Sequence, residues 1–338
     1  MKKLFVIISM CICFFSCKTG KDNVERISNQ NYEVITDSVY TRMPGSIFYQ
    51  DNHIYWEDAI GFENFIHLVS VPEKKELFCF ANMGEGPNDF SLPISSLSPN
   101  GGLFVNDGNK SLGILYKVVD GKLISTSHKY ENNPKSTRLL HLDANTLLYL
   151  CPEEKALFQI VRNNSSTGSS FGVLPIVDEI KNAYDIFQGN VLYNSQKRML
   201  VYSNIIFPYV SIYKQTDGEK WELVSELKDE WDYTINDGKL KFSSEMSSGA
   251  MEMALTEEYI VLLQRDSKVE GTISSQNSGR DISALPHSLF VYDYQLNLKK
   301  IINMPFPMLR LCGDLESNEV YAMSINPEFE LIRIDLDN

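Results

Sequence analysis

His53-Ile54-Tyr55-Trp56, Phe65-Ile66-His67-Leu68-Val69 and Glu76-Leu77-Phe78-Cys79-Phe80, closed by Gly84-Glu85-Gly86-Pro87, form the stretch whose reading decides the fold. Three short runs rich in Ile, Val, Phe and Tyr alternate with polar turns, which is the pattern of strands rather than helices. The unit restarts with Leu103-Phe104-Val105-Asn106-Asp107, Leu112-Gly113-Ile114-Leu115-Tyr116 and Lys122-Leu123-Ile124-Ser125. Further along it returns at 146–150 and 156–160, then at 199–202, 210–213 and 222–224. The last returns are at 251–255, 259–263, 289–294 and 298–302, and at 319–323 and 331–336. Groups near 53–81, 102–128, 138–174, 187–227, 250–302 and 307–335 recur roughly every 40–50 residues, the period of propeller blades, and number about six.

Turn chemistry agrees. Asp120-Gly121, Asp217-Gly218 and Asp237-Gly238 supply the positive-φ positions of tight hairpins. No long amphipathic helix is present; the span 178–186 has room for one or two turns. Small twisted sheets packed around a channel therefore fit better than two large stacked sheets, because the unit repeats. Closing the ring hides sheet edges that would otherwise pair with other chains. The early segment from Tyr32-Glu33-Val34-Ile35 through Val39-Tyr40 is expected to join the last blade. The expectation is an all-β, six-bladed β-propeller over residues 31–338, closed by an N-terminal strand.

The N-terminus carries an address. Lys2 and Lys3 precede an uncharged apolar run, and Ser16 stands directly before Cys17. That order is a secretory signal over residues 1–16 with a processing site, and the apolar run is short for a membrane span. The cysteine after the site resembles a bacterial lipobox, with Phe14 where leucine is usual, and makes Cys17 the lipidation candidate. The competing reading is an ordinary cleaved signal with an incidental cysteine. Residues 17–30 are polar and read as a tether.

Charge narrows the partners. The formal charge is −13, and losing residues 1–16 with their two lysines makes it about −15. Nucleic acid and anionic lipid repel such a chain at long range. Membrane association is then expected through covalent lipid, and two or more acyl chains hold stably. Cys79, Cys151 and Cys312 remain after the N-terminal cysteines, an odd number at spacings that make neither a disulfide framework nor a zinc site. Cys79 and Cys312 read as packed strand positions.

The residues from Met83 to Phe90, Met-Gly-Glu-Gly-Pro-Asn-Asp-Phe, resemble the junction after the first blade of TolB-like six-bladed β-propeller lipoproteins of Gram-negative bacteria. Ser288-Leu289-Phe290-Val291-Tyr292-Asp293-Tyr294 with Leu298-Lys299-Lys300 is similar to that family's penultimate blade. Val320-Tyr321-Ala322 and Leu331-Ile332-Arg333-Ile334 are similar to its last strands. The likeness covers most of 45–337 and implies the propeller and an outer-membrane, extracytoplasmic location. It brings no catalytic residues with it. Asn88-Asp89 departs from the family's usual glycine and glutamate.

Motifs for chemistry are sparse. Gly84-Glu85-Gly86 lacks the third glycine and the helix of a nucleotide fingerprint, and there is no phosphate loop, His-Glu-x-x-His or Gly-x-Ser-x-Gly. The histidines His53, His67, His128, His141 and His287 hold no local metal spacing. No metal and no cofactor are expected. Asn106-Asp107-Gly108-Asn109 clusters oxygen ligands but matches no calcium loop. Acid pairs at Glu153-Glu154, Asp229-Glu230 and Glu257-Glu258 lie beside turns, where solvated acids are common; in a sugar-active propeller such pairs would do acid–base work.

Candidate ligand or partner contacts are Glu85, Asn88 and Asp89 at the Gly-Pro junction, where a structural turn competes with a ligand loop. Its glycines are expected to take left-handed angles there. Trp231 and Tyr233 are candidates in the long connection 228–248, where loop packing competes with recognition. Residues 265–286 are expected to be disordered. The function expected is a monomeric, lipid-anchored, non-catalytic binding or scaffold module for an envelope protein or glycan. The alternative is a propeller enzyme, a glycan lyase or hydrolase with acids or histidines at the channel mouth.

Overall fold

The structure, a computed structural model, describes residues 24–28, 30–61, 63–130, 138–152, 156–162, 168–216, 220–243, 246–271 and 284–338. The signal, Cys17, Glu153-Glu154 and Asp217-Gly218 lie outside the described residues. Two short strands lead, β1 (Glu25–Ile27) and β2 (Tyr32–Thr36). Blade 1 is β3 (Pro44–Gln50), β4 (His53–Asp58), β5 (Asn64–Ser70) and β6 (Lys75–Asn82). Blade 2 is β7 (Pro93–Leu97), β8 (Leu103–Asp107), β9 (Leu112–Val119) and β10 (Lys122–His128). Blade 3 is β11 (Leu139–Asp143), β12 (Thr146–Leu150), β13 (Phe158–Arg162) and β14 (Ser169–Phe171). After the single turn α1 (Ala183–Ile186), blade 4 is β15 (Gly189–Asn194), β16 (Met199–Asn204), β17 (Tyr209–Gln215) and β18 (Trp221–Lys228).

A separate hairpin follows, β19 (Tyr233–Asn236) with β20 (Lys239–Phe242), turned at Asp237 and Gly238, whose φ angles are 53° and 76°. Blade 5 is β21 (Glu252–Leu255), β22 (Tyr259–Leu263), β23 (Ser288–Asp293) and β24 (Leu298–Asn303), with the turn α2 (Ser267–Glu270) between β22 and β23. Blade 6 is β25 (Met308–Gly313), β26 (Glu319–Ile325) and β27 (Phe329–Asp335). Its fourth strand is β2, antiparallel to β27 with Tyr32 opposite Ile334.

The first strand of every blade touches the first strand of the next, and β25 touches β3, so β3, β7, β11, β15, β21 and β25 form a closed ring about a channel. All six run the same way. The connections between blades, and the second-to-third strand connections within them, therefore share the face where these inner strands begin. That face, the upper one, carries the long connections 229–251 and 264–287.

The core is divided among the blade interfaces. In β26, Val320 and Ala322 pack toward blade 5 while Tyr321 and Met323 pack toward blade 1. In β22, Ile260 and Leu262 face blade 4, and Val261 and Leu263 face blade 6. Period-2 alternation thus feeds two interfaces at once, and the middle strands read as unbroken apolar runs.

Three expectations change. Residues 25–27, placed in the tether, pair in parallel with β24, and Ile27 packs into the cluster between blades 5 and 6. Burial of that isoleucine fixes a segment that composition alone reads as solvated. Cys79 is exposed on an outer strand, its thiol 3.4 Å from the Asn64 carbonyl, while Cys312 is buried; Cys79, Cys151 and Cys312 are free thiols. Within 265–286, residues 265–271 are well tied. Asp266 caps α2, and Glu270, whose side chain is fully covered, accepts hydrogen bonds from Asp266 N, His287 N and Ser288 Oγ. Residues 272–283 lie outside the described residues.

Candidate functional site

The inner strands enclose a cavity of about 440 Å³, lined from all six blades. Small residues keep it open: Gly45, Ser46, Ser95 and Asn190 stand where the strands converge. At the upper mouth it gathers four charged side chains, Glu57, Arg138, Glu252 and Arg310. Glu57 ends β4, and Glu252 opens β21. Arg138 directly precedes β11, and Arg310 lies in β25. The parallel run of the inner strands brings together residues far apart in the chain.

Arg310 knits three blades. Its Nε donates to the Gly45 carbonyl at 2.8 Å, and its Nη1 donates to Glu252 Oε1 and to the Leu309 carbonyl, each at 3.0 Å. Its Nη2 has no protein partner among the described residues. Arg138 Nε donates to the Gly189 carbonyl at 3.2 Å, joining blades 3 and 4. Glu57 Oε2 accepts from Ser46 N at 2.9 Å. A Cβ on Gly45 would stand 2.7 Å from the Glu57 Cβ, so glycine is what lets this carboxylate lie against the inner strand. The Glu252 and Arg310 side chains keep 18% and 22% of their surface accessible. Burial pushes the Glu252 carboxyl above its ordinary value; Arg310 and Arg138 pull it down, and Glu57 pushes it further up.

Of the histidines, His141 lines the channel. Its ring stacks on Phe104 at 4.2 Å, and neither ring nitrogen has a protein partner among the described residues, although the residue is only 2% exposed. Burial, with His128 nearby, pushes it down to about 4, so the ring is neutral at pH 7. Ser95 Oγ, in the same lining, is likewise unpartnered.

The residues singled out in the sequence lie elsewhere. Glu85 and Asn88 are exposed on the junction after blade 1. Asp89 turns inward on that junction: its Oδ2 accepts from Gly86 N at 2.9 Å, and Lys110 Nζ donates to the carbonyls of Gly84, Gly86 and Asp89. Neither Gly84 nor Gly86 takes a positive φ; a Cβ at either would collide with the Asp89 carboxylate, at 2.8 and 2.4 Å. The glycines make room for a side chain and do not bend the backbone left-handedly, so that expectation is corrected.

Trp231 is half-buried, stacked edge-on against Phe207, with its Nε1 donating to the Pro208 carbonyl at 3.2 Å. Tyr233 donates to Asp178 at 3.0 Å. Trp231 packs the connection onto blade 4, and Tyr233 ties it to the segment between blades 3 and 4. Asp229-Glu230 and Glu257-Glu258 are exposed and stay outside the channel lining. Asp107 accepts from the backbone of Ser91, Leu92, Asn109 and Lys110, so its carboxylate anchors a turn where calcium ligation was weighed.

A family model described as TolB-like 6-blade propeller-like matches residues 22–306. Among solved structures, a member of the DUF4221 family from Bacteroides vulgatus superposes with a TM-score of 0.55 at 13% identity, over 91% of this chain and 96% of that one. The β-propeller domain of Myceliophteria thermophila Cps50 (Swd1) gives 0.48 at 9% identity, over 90% and 99%. A comparison with curated proteins returned no match. At 13% identity the likeness to the Bacteroides vulgatus structure speaks for the fold alone, whereas the family match spans most of the chain and takes in the Gly-Pro junction. The chain belongs to the TolB-like six-blade propeller family.

Proposed function

We propose that this chain is a binding module of the cell envelope, lipid-anchored to the outer membrane through Cys17, that takes its ligand in the central channel from the upper face. The observation that carries this reading is the mouth of that channel. Arg310 Nη2 and one oxygen each of Glu57 and Glu252 keep spare hydrogen-bonding capacity at the mouth of a cavity of about 440 Å³, a volume in the range of small-molecule sites, and the buried, unpartnered His141 stands in its wall. The charged groups also serve the scaffold, since Arg310 and Arg138 tie neighbouring inner strands.

A second reading has one observation in its favour. Glu57 and Glu252 share the mouth, and the Glu252 carboxyl is pushed upward. A carboxyl raised above its ordinary value beside a second carboxylate is the kind of pair that glycoside hydrolysis uses. The experiment is incubation of the purified chain with envelope glycan and peptide fractions, followed by mass spectrometry of bound and free material. Retention of an unaltered ligand supports a binding module. New products that disappear in Glu252→Gln overturn it in favour of an enzyme.

A further inference from the structure

We propose that the channel selects a small zwitterion, a free amino acid or short peptide bearing both an ammonium and a carboxylate. This rests on the channel being the ligand site. The mouth holds two guanidinium groups, Arg138 and Arg310, and two carboxylates, Glu57 and Glu252. These charges balance one another, and Arg310 is paired with Glu252. A ligand of one net charge would upset that balance in a confined, largely apolar space, which is costly, whereas a ligand with both charges keeps it.

The unused hydrogen-bonding positions are also of both signs. Arg310 Nη1 and Nε are occupied by Glu252, Leu309 and Gly45, which leaves Nη2 as a cationic donor for a ligand carboxylate. One oxygen of each acid is taken, Glu57 Oε2 by Ser46 N and Glu252 Oε1 by Arg310. The other oxygen of each stands as an acceptor for an ammonium. The two carboxylates line the same mouth, and Glu57 adds to the upward push on Glu252. An ammonium placed between them removes that repulsion.

Further down, the lining changes character. His141 follows Arg138 by three residues, about 10 Å along the strand. Its neutral ring and the Ser95 hydroxyl are unpartnered and almost wholly covered in that wall, so this part of the lining adds no third charge and suits the uncharged body of the ligand. A neutral sugar would leave Arg310 Nη2 and the second oxygens of Glu57 and Glu252 without an ionic partner.

The test is isothermal titration calorimetry on the detergent-solubilised full chain. The probes are alanine, dialanine and trialanine, dialanine blocked as the N-acetyl or the C-terminal amide form, glucuronate and glucose. At least one free zwitterion should bind, and each block should weaken dialanine at least tenfold. Glu57→Gln should weaken free dialanine and narrow its advantage over the N-acetyl form. Arg310 is spared because it holds three blades together. The blocked peptides test the wild-type chain, so a misfolded variant does not blunt the result.

Blocked and free peptides binding alike overturn the proposal. Glucuronate or glucose binding in place of the peptides, sensitive to Glu57→Gln, overturns the zwitterion and leaves the channel as the ligand site. No heat from any probe, or peptide binding indifferent to both Glu57→Gln and Glu252→Gln, overturns both.

Discussion

Asp107 shows how one carboxylate organises a blade junction. It is fully buried, and burial pushes its carboxyl up; hydrogen bonds from the backbone of Ser91, Asn109, Lys110 and Leu92 outweigh that and leave it below its ordinary 3.8. A folded-state value below the unfolded one means stability that is present in full above about pH 4 and is lost as pH falls through the folded value. Asp107→Asn keeps the shape and loses the charge. It should lower stability by about 2–4 kcal/mol at pH 7, and the gap to wild type should narrow when urea unfolding is repeated near pH 3. A gap constant with pH would mean that the charge contributes nothing. Asn106-Asp107-Gly108-Asn109 looked like an oxygen cluster in the sequence. Nothing local says that its four backbone donors come from both sides, Ser91 and Leu92 as well as Asn109 and Lys110. The same holds for Glu57 and Glu252: each is an ordinary strand-end acid until the ring closes.

At the scale of the element, legibility followed burial. Middle strands such as β22 and β26 pack two interfaces and announce themselves as apolar runs. Among the six inner strands, β21 and the part of β25 around Cys312 stand out in sequence. β7 is Pro93-Ile94-Ser95-Ser96-Leu97 and β15 begins Gly189-Asn190, because strands crowded about an axis need small side chains. The strands that build the site are therefore the ones with the weakest β signal.

Two elements allow direct tests. Ile35 of β2 is buried between blades 6 and 1. Ile35→Ala should cost about 2–4 kcal/mol, read by chemical unfolding, and deletion of 31–42 should lower the melting temperature. An unchanged melt after that deletion would show that the ring does not need β2. Trp231 fastens the connection 229–251, so Trp231→Ala should speed proteolysis within that connection and leave calorimetric affinity at the channel within twofold. A larger loss of affinity would return Trp231 to the ligand site.

For the whole molecule, charge and anchor act separately. The chain carries −13, or about −15 once the proposed signal is removed, and its described surface includes exposed acids on the upper connections and on the lower turns, Glu257 and Glu258 among them. An anionic bilayer repels such a body, though at physiological salt the repulsion fades beyond about 8 Å. Since β1 is fixed to the rim of blade 5, the chain from Cys17 to Val24 sets the reach, at most about 25 Å for seven residues. On the proposed reading, attachment then depends on the acyl chains alone. Cys17→Ala should abolish incorporation of labelled palmitate and move the protein from the membrane to the soluble fraction. The released propeller should fail to sediment with anionic vesicles at low salt, where electrostatic attraction would be strongest if there were any. Palmitate entering the Cys17→Ala chain would remove the anchor from this reading, and sedimentation of the released form would reveal a lipid-binding surface that its charge argues against.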